Sequence, residues 1–109
     1  MGGGIILRNY RVPTLTIAGS DSSGGAGIQA DLKTFSAIGT YGMSVITAVT
    51  AQNTEGVFAV EELSGEIIKS QIKAIFDDIE PAAVKIGMVS SPEIIVDIVN
   101  TMKKYNPSF

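Results

Sequence analysis

Cysteine, histidine and tryptophan are absent from the 109 residues of this sequence. Without cysteine there is no disulfide framework and no thiolate metal site. Without histidine, residues 1–109 exclude histidine-dependent triads, histidine-ligated zinc and proton transfer by imidazole. No apolar run reaches the roughly 18 residues that a membrane span needs. The first residues also lack the basic segment of a signal peptide, so we expect a cytoplasmic protein without a membrane partner.

Positive charge is also scarce, and this bears on possible partners. The eight lysine and arginine residues are scattered, and the formal net charge is −3. A chain without a basic patch is a poor candidate for nucleic-acid binding. Hydrophobic residues make up 45% of the chain, which is typical of a globular protein. We expect residues 1–12 to form a lead-in and residues 13–109 to form one folded part.

The rest of the chain alternates between predicted strands and predicted helices. The segment Ser44–Ala51 is apolar on both faces, which is typical of a strand covered by helices on each side. Such alternation predicts an α/β fold with a mostly parallel sheet and right-handed crossovers. The predicted strands are Thr14–Ala18, Ser44–Ala51 and Ala82–Ile86, with a short extended segment at Val57–Leu63. The predicted helices cover Gly27–Ile38, the stretch from the cap Ser64 to Pro81, and Pro92 to about Tyr105.

The apolar side chains of these helices recur at helical spacing and predict the buried faces. Because the chain ends where a further strand is expected, we expect an incomplete domain with one sheet edge lacking a neighbour. The residues predicted to face inward are Ile28, Leu32, Phe35 and Ile38 in the first helix, Ile68, Ile72, Ile75, Phe76 and Ile79 in the second, and Ile95, Ile98, Val99 and Met102 in the third.

A segment with little side-chain bulk, Gly19–Gly25, joins the first strand to the first helix. Glycines allow close backbone approach, and the first N–H groups of a helix are free to donate, so this arrangement is typical of a ligand site. Asp31 follows about one turn into the helix and is a ligand-facing residue, a solvated one or a cap for neighbouring amides. Gly25–Ala30 formally fits the dinucleotide fingerprint. However, residues 20–24 intervene after the strand, and Gln52 stands where an acid is expected, so this interpretation is disfavoured.

Polar or flexible side chains follow the other predicted strands. Gln52 and Asn53 come where ligands gather in open α/β sheets, although either one could instead close the turn. A glutamine amide can pair a donor and an acceptor with a heterocycle. Met88 follows the third strand as either a pocket wall or core filling. Lys85 is a charged residue within that apolar strand, and a snorkelling stem, which carries the ammonium group out to water, is enough to explain it.

Four collinear motifs, Leu15–Leu32, Tyr41–Ala48, Ala51–Thr54 and Lys85–Met88, closely resemble those of the hydroxymethylpyrimidine/phosphomethylpyrimidine kinases. The resemblance covers Pro13–Tyr105. It implies a three-layer α/β/α ribokinase-like fold with a mostly parallel sheet, of which this chain is an incomplete N-terminal, substrate-side half. Four motifs in the right order and spacing are far more specific than one glycine-rich loop.

The resemblance implies an enzyme of thiamine biosynthesis that uses ATP and Mg²⁺. It phosphorylates 4-amino-5-hydroxymethyl-2-methylpyrimidine, hereafter hydroxymethylpyrimidine, and then its monophosphate. Gln52 is then expected to bind the amino and ring nitrogens, and Gly19 and Asp31 to border the hydroxymethyl group. Met88 is expected to pack on the ring, with Ala26 and Thr50 as weaker members of the pocket.

The resemblance places the ATP site, the anion hole and the catalytic base in a C-terminal half that these residues do not contain. We therefore assign no catalytic and no metal-binding residue in this chain and expect the isolated chain to be inactive. A homodimer is implied for the full-length enzyme. The alternatives are a pyridoxal-type kinase of the same fold, a non-catalytic pyrimidine-binding module and a dinucleotide-binding domain.

Overall fold

The structure is a computed structural model that describes residues 11–89 and 91–109. The predicted alternation of strands and helices is confirmed. Residues 1–10 of the lead-in, and Ser90 in the loop after the predicted third strand, lie outside the described residues. In chain order the elements are β1 (Pro13–Ser20), α1 (Gly27–Ala37), β2 (Tyr41–Asn53), β3 (Gly56–Glu62), α2 (Gly65–Phe76), β4 (Ala83–Ile86) and α3 (Pro92–Tyr105).

The four strands form one mixed sheet in the order β3-β2-β1-β4. β1 runs parallel to both β2 and β4, whereas β3 pairs antiparallel with β2. The carboxyl ends of β1, β2 and β4 therefore meet at one edge, where open α/β sheets bind ligands. The β1–β2 register contains a bulge near this edge, because Ala18 pairs with Ile46 whereas Ser20 pairs with Val49.

The apolar core lies between the sheet and the pair α2 and α3. Its six central side chains are at most 1% exposed, and burying each large aliphatic side chain contributes about 1.5–3 kcal/mol. α1 covers the opposite face, because a Cβ on Gly42 would lie 3.0 Å from Leu32 and 3.2 Å from Phe35. The predicted three-layer arrangement is therefore confirmed. The six core residues are Leu15, Ile17, Val45, Ile68, Ile72 and Ile98.

The helix ends follow the predicted signals at several positions. Ser64 caps α2, since its hydroxyl oxygen accepts a hydrogen bond from the Ile67 N–H at 3.3 Å. Pro92 occupies the first turn of α3, and this helix ends at Tyr105 as predicted. α2 is shorter than predicted because it ends at Phe76, ahead of two aspartates with low helix propensity. Ile79 therefore lies in the turn beyond the helix.

Three predicted inward-facing residues are in fact exposed. Ile38 is 68% exposed, while Ile95 and Val99 of α3 are 44% and 42% exposed. The apolar stripe of α3 is wider than the surface that covers it. The row spaced four residues apart, Ile94, Ile98 and Met102, packs on the core, as does Tyr105 at the end of the helix.

The prediction that Ser44–Ala51 is covered on both faces holds only for its first half. Val45 is fully buried, whereas Val49 is 49% exposed. The second half of β2 pairs with β3, which makes its main contacts with β2 rather than with a helix. Apolar side chains of β3 are exposed for the same reason, namely those of Val57, Phe58 and Val60.

The residues after α3 return to the sheet beside β4. The carbonyl oxygen of Phe109 accepts a hydrogen bond from the Val84 N–H at 2.8 Å. A backbone bond of this kind occupies part of the edge of β4. None of the three helices in the described ranges combines the length and apolar character needed to cross a bilayer.

Candidate functional site

A cavity of about 410 Å³ opens at the carboxyl edge of the sheet. This volume lies within the range of about 300–1,000 Å³ that is typical of small-molecule sites. Its walls come from the end of β1 and the loop after it, the start of α1, the second half of β2, parts of β3 and β4, the loop after β4 and the start of α3. Representative lining residues are Gly19, Ala26, Thr50, Gln52, Met88 and Ile94.

Asp21 organises the loop between β1 and α1. Its buried carboxylate accepts hydrogen bonds from the N–H and hydroxyl of Ser23 at 2.8 and 2.7 Å, and from the Gly25 N–H at 3.0 Å. The hydrogen bond from the Ser23 hydroxyl is the main reason why the pKa of Asp21 is lowered. Burial opposes it, and bonds from backbone N–H groups add to it. Asp21 is therefore a charged anchor for the loop.

Two further features hold this loop against the sheet. Gln29 of α1 accepts from the Asp21 N–H and donates to the Ser20 hydroxyl, both at 2.8 Å. Gly27 has φ +59°, and a Cβ at this position would lie 2.3 Å from the carbonyl oxygen of Gly19. Glycine is required at position 27 because any side chain there would push the start of α1 away from β1.

The end of β2 is bonded directly to the same loop. The Thr50 hydroxyl donates to the Ser20 carbonyl at 2.7 Å and also lies 3.1 Å from Oε1 of Gln52. The hydroxyl of Ser22 donates to the Gln52 carbonyl and accepts from the Gln52 N–H, at 2.7 and 2.8 Å. The backbone of Gln52 is thus fixed, and its side chain lines the cavity.

The structure separates the two interpretations offered for Gln52 and Asn53. The side chain of Asn53 accepts from the Glu55 N–H at 2.8 Å and does not line the cavity. It closes the turn between β2 and β3, as asparagine often does. Only Gln52 of this pair is placed to contact a ligand in the cavity.

Asp31 lies behind the cavity wall rather than in it. One carboxylate oxygen accepts from the Thr16 hydroxyl at 2.6 Å, and the other accepts from Lys85 Nζ at 2.7 Å. Burial raises the pKa of Asp31, but the hydrogen bonds from Lys85 and Thr16 and the charge of Lys85 outweigh it and lower the pKa overall. Asp31 therefore does not line the cavity itself, but it is hydrogen-bonded to Lys85, which does.

Five of the six predicted site residues line this cavity, namely Gly19, Ala26, Thr50, Gln52 and Met88. Met88 is 92% exposed, which excludes a core-filling role in the described part of the chain. The sequence interpretation missed Lys85, because a snorkelling stem accounts for its charge within an apolar strand without any partner. The pairing with Asp31 had one signal in the sequence, since a lone charge in a short apolar strand itself points to a partner.

No group of three or more acidic side chains able to hold a metal ion occurs within residues 11–89 and 91–109. Mg²⁺ takes oxygen ligands in near-octahedral geometry, usually from carboxylates and substrate phosphates. The acids at the cavity, Asp21 and Glu62, do not form such a set. No set of side chains in the described residues could hold Mg²⁺ without substrate phosphates, and no step through the metal is derived from them.

The sequence and the fold both match known proteins. The family model for phosphomethylpyrimidine kinase matches residues 21–109. The hydroxymethylpyrimidine/phosphomethylpyrimidine kinase of Rhizobium meliloti is 63% identical over 91 residues, which are 84% of this chain and 34% of that protein. The crystal structure of phosphomethylpyrimidine kinase from Clostridium difficile gives a TM-score of 0.89 at 79% identity, over 91% of this chain and 43% of that one.

A more distant match is the pyridoxal kinase from Staphylococcus aureus, solved in complex with AMP-PCP and pyridoxal. It gives a TM-score of 0.81 at 37% identity, over 92% of this chain and 37% of that one. The chain spans about a third of the length of several curated relatives that it matches. The family match, which covers most of the chain, together with these structural matches, shows that the chain belongs to the phosphomethylpyrimidine kinase family and has the ribokinase-like fold.

Proposed function

We propose that this chain is the substrate-binding part of an ATP-dependent kinase of thiamine biosynthesis. The kinase phosphorylates hydroxymethylpyrimidine and then its monophosphate. The names of the relatives support the activity, and one structural observation carries the assignment of the substrate. The side chain of Gln52 lines the cavity while its backbone is fixed to the glycine-rich loop.

The amide of Gln52 suits an aminopyrimidine. Such a ring presents an exocyclic amino donor next to a ring-nitrogen acceptor, and a primary amide offers the complementary acceptor and donor. Two hydrogen bonds along one edge of a flat ring fix its orientation. Apolar lining from Val60, Met88 and Ile94 suits the remainder of such a ring.

Thr50 is placed to orient this amide. Its hydroxyl has one proton, and the carbonyl of Ser20 is the nearer of its two oxygen neighbours. If that carbonyl takes the proton, the Thr50 oxygen is left as an acceptor, which favours the amide turned with Nε2 toward it. The second N–H and the carbonyl oxygen of Gln52 are then available to the ligand.

Nucleotide binding is proposed for the full-length enzyme. Phosphoryl transfer depends on positioning and on charge stabilisation at the moving group, commonly by Mg²⁺. AMP-PCP in the related pyridoxal kinase supports ATP as the donor. We propose that the isolated chain binds the pyrimidine without transferring phosphoryl groups. The homodimer and the cytoplasmic location stay predictions.

A pyridoxal-type kinase is the second candidate, because the chain shares its fold with a pyridoxal kinase solved with pyridoxal bound. The chemistry of Gln52 argues against it. The ring nitrogen of pyridoxal is flanked by a methyl-bearing carbon and a C–H group, so it has no amino donor beside it. An amide can make only one of its two hydrogen bonds to that edge.

The test is a calorimetric titration of the chain with hydroxymethylpyrimidine and, separately, with pyridoxal. We expect the pyrimidine to bind more tightly, and Gln52→Ala to weaken its binding about 10- to 100-fold, because two hydrogen bonds are lost. Asn53→Ala is the matched control. It removes the neighbouring amide, which closes a turn outside the cavity, and should leave the affinity unchanged.

Other results would contradict the proposal in different ways. Tighter binding of pyridoxal would favour the second candidate. Equal losses of affinity in Gln52→Ala and Asn53→Ala would show that the Gln52 side chain does not contact the ligand. Binding of a nicotinamide dinucleotide instead would favour the dinucleotide interpretation. A full-length protein that binds the pyrimidine but never phosphorylates it would indicate a non-catalytic binding module.

A further inference from the structure

Lys85 is the only cationic side chain that lines the cavity in the described part of the chain. The other ionisable lining residues are the acids Asp21 and Glu62. The charge of Asp21 is already engaged by the loop through Ser23 and Gly25. Among the side chains that line the cavity in the described residues, only Lys85 can therefore attract an anionic ligand by its charge.

Lys85 is held in place by the carboxylate of Asp31, which is itself hydrogen-bonded to the buried Thr16. Lys85 and Thr16 are register partners on adjacent strands, so their side chains leave the same face of the sheet. Asp31 of α1 lies over that face, where it accepts from Thr16 at 2.6 Å and from Lys85 at 2.7 Å. Thr16 is fully buried, and the side chain of Asp31 is only 15% exposed. The carboxylate thus anchors the lysine.

The ammonium head of Lys85 still has free donors. An ammonium group has three N–H bonds, of which Asp31 takes one. The side chain is 54% exposed and borders the cavity beside Ala18 and Gly87. The remaining donors can therefore reach a ligand without breaking the bond to Asp31.

We propose that Lys85 is a specificity-determining residue that binds the phosphate ester of the phosphorylated substrate. The inference rests on the proposed function, in which the pyrimidine monophosphate is the second substrate. A phosphate bound at Lys85 brings negative charge close to the Asp31 carboxylate, which lies 2.7 Å from Lys85 Nζ. Lys85 stands beside that carboxylate and offsets the repulsion, while its free N–H groups donate to the phosphate oxygens.

Lys85 makes a weaker hydrogen bond to the unphosphorylated substrate than to the monophosphate. A neutral hydroxymethyl group accepts at most an ordinary hydrogen bond, which is about half as strong as a charge-assisted one. Lys85 therefore selects between the two substrates of one site. If its only role were to neutralise Asp31, removing both charges together would leave the preference for the monophosphate unchanged.

The test compares the affinities of hydroxymethylpyrimidine and its monophosphate by calorimetric titration. We expect Lys85→Met to weaken binding of the monophosphate about 10- to 100-fold, as for a lost charge-assisted bond. It should change binding of the unphosphorylated pyrimidine little. Lys85→Arg keeps the charge and should retain most of the preference for the monophosphate. Lys69→Met is the matched control, because Lys69 is also paired with an aspartate, Asp97, but lies outside the cavity lining.

Lys85→Met leaves the carboxylate of Asp31 without its cation, which can impair folding. The double variant Asp31→Asn with Lys85→Met removes both charges. We expect it to lose the preference for the monophosphate as well, while circular dichroism reports a folded chain. An unchanged ratio of the two affinities in the double variant would overturn the role of Lys85 and leave the proposed function standing. If the folded wild-type chain binds neither ligand, the proposed function fails and this inference fails with it.

Discussion

The apolar core under α2 and α3 and the glycine-rich loop between β1 and α1 are held in place by different forces. The core is a set of aliphatic side chains packed out of contact with water. The loop contains almost no apolar bulk and is held by hydrogen bonds that involve the side chains of Asp21, Gln29 and Ser22. Both regions contact β1, yet they use different chemistry.

This difference separates stability from ligand geometry. A buried aliphatic side chain contributes about 1.5–3 kcal/mol, whereas a hydrogen bond typically contributes about 0.5–1.5 kcal/mol net. Substitutions in the core should therefore change the free energy of unfolding with little effect on the affinity of the folded protein. Substitutions in the loop should mainly lower the affinity for the ligand and should have a smaller effect on the free energy of unfolding.

Ile72→Ala should give the largest loss of stability. Ile72 is fully buried, and truncation of such a side chain lowers the free energy of unfolding by about 2–5 kcal/mol. Urea denaturation measures the change, and titration with hydroxymethylpyrimidine under folding conditions should show an unchanged affinity. Ile95→Ala is the matched control, because Ile95 is 44% exposed and should cost far less. Similar losses for both isoleucines would contradict the assignment of the core.

Gly27→Ala should have a smaller effect on stability and a larger effect on binding. The positive φ of Gly27 and the clash with the Gly19 carbonyl should cost about 1–3 kcal/mol. The affinity for hydroxymethylpyrimidine should fall at least about tenfold, because the shifted loop lines the cavity. Gly56→Ala is the control, since a Cβ there meets nothing within 4 Å. Retention of full affinity by Gly27→Ala would show that the loop tolerates the shift.

Asp21→Asn should give the smallest effect, visible mainly as a change in pH dependence. The pKa of Asp21 is lower in the folded protein than in the unfolded chain. Its ionised form therefore stabilises the fold above the ordinary pKa of about 3.9, and this contribution is lost as the pH falls through the lowered value. Unfolding curves measured between neutral and acid pH should be less pH-dependent for the variant. Curves with equal pH dependence would indicate that the charge of Asp21 is not used by the loop.

The core could largely be predicted from the sequence because helical spacing and capping are local signals. Ser64, Pro92 and Tyr105 mark helix ends where the sequence places them. Exposure of Ile95 and Val99 could not be predicted in the same way. The spacing of apolar residues describes the helix that carries them, whereas burial depends on how wide a surface the neighbouring elements cover.

The cavity was predictable for a different reason. Residues after parallel strands and at the start of a helix gather at one edge of the sheet, and so Gln52, Met88 and Ala26 come together. The contact of Asp31 with Lys85 spans 54 positions of the chain. It depends on the packing of α1 against β1 and on the pairing of β1 with β4, neither of which is encoded in a short motif.

The bulge between β1 and β2 determines the direction in which the cavity residues of β2 point. From Ala18 to Ser20 the first strand advances two residues, while its partner advances three, from Ile46 to Val49. Because side chains alternate along a strand, one extra residue reverses the facing of everything that follows. Two relatives could thus both carry glutamine after this strand and aim it to opposite sides if they differ by one residue before it. The number of residues ahead of Gln52 therefore determines whether its amide faces the cavity.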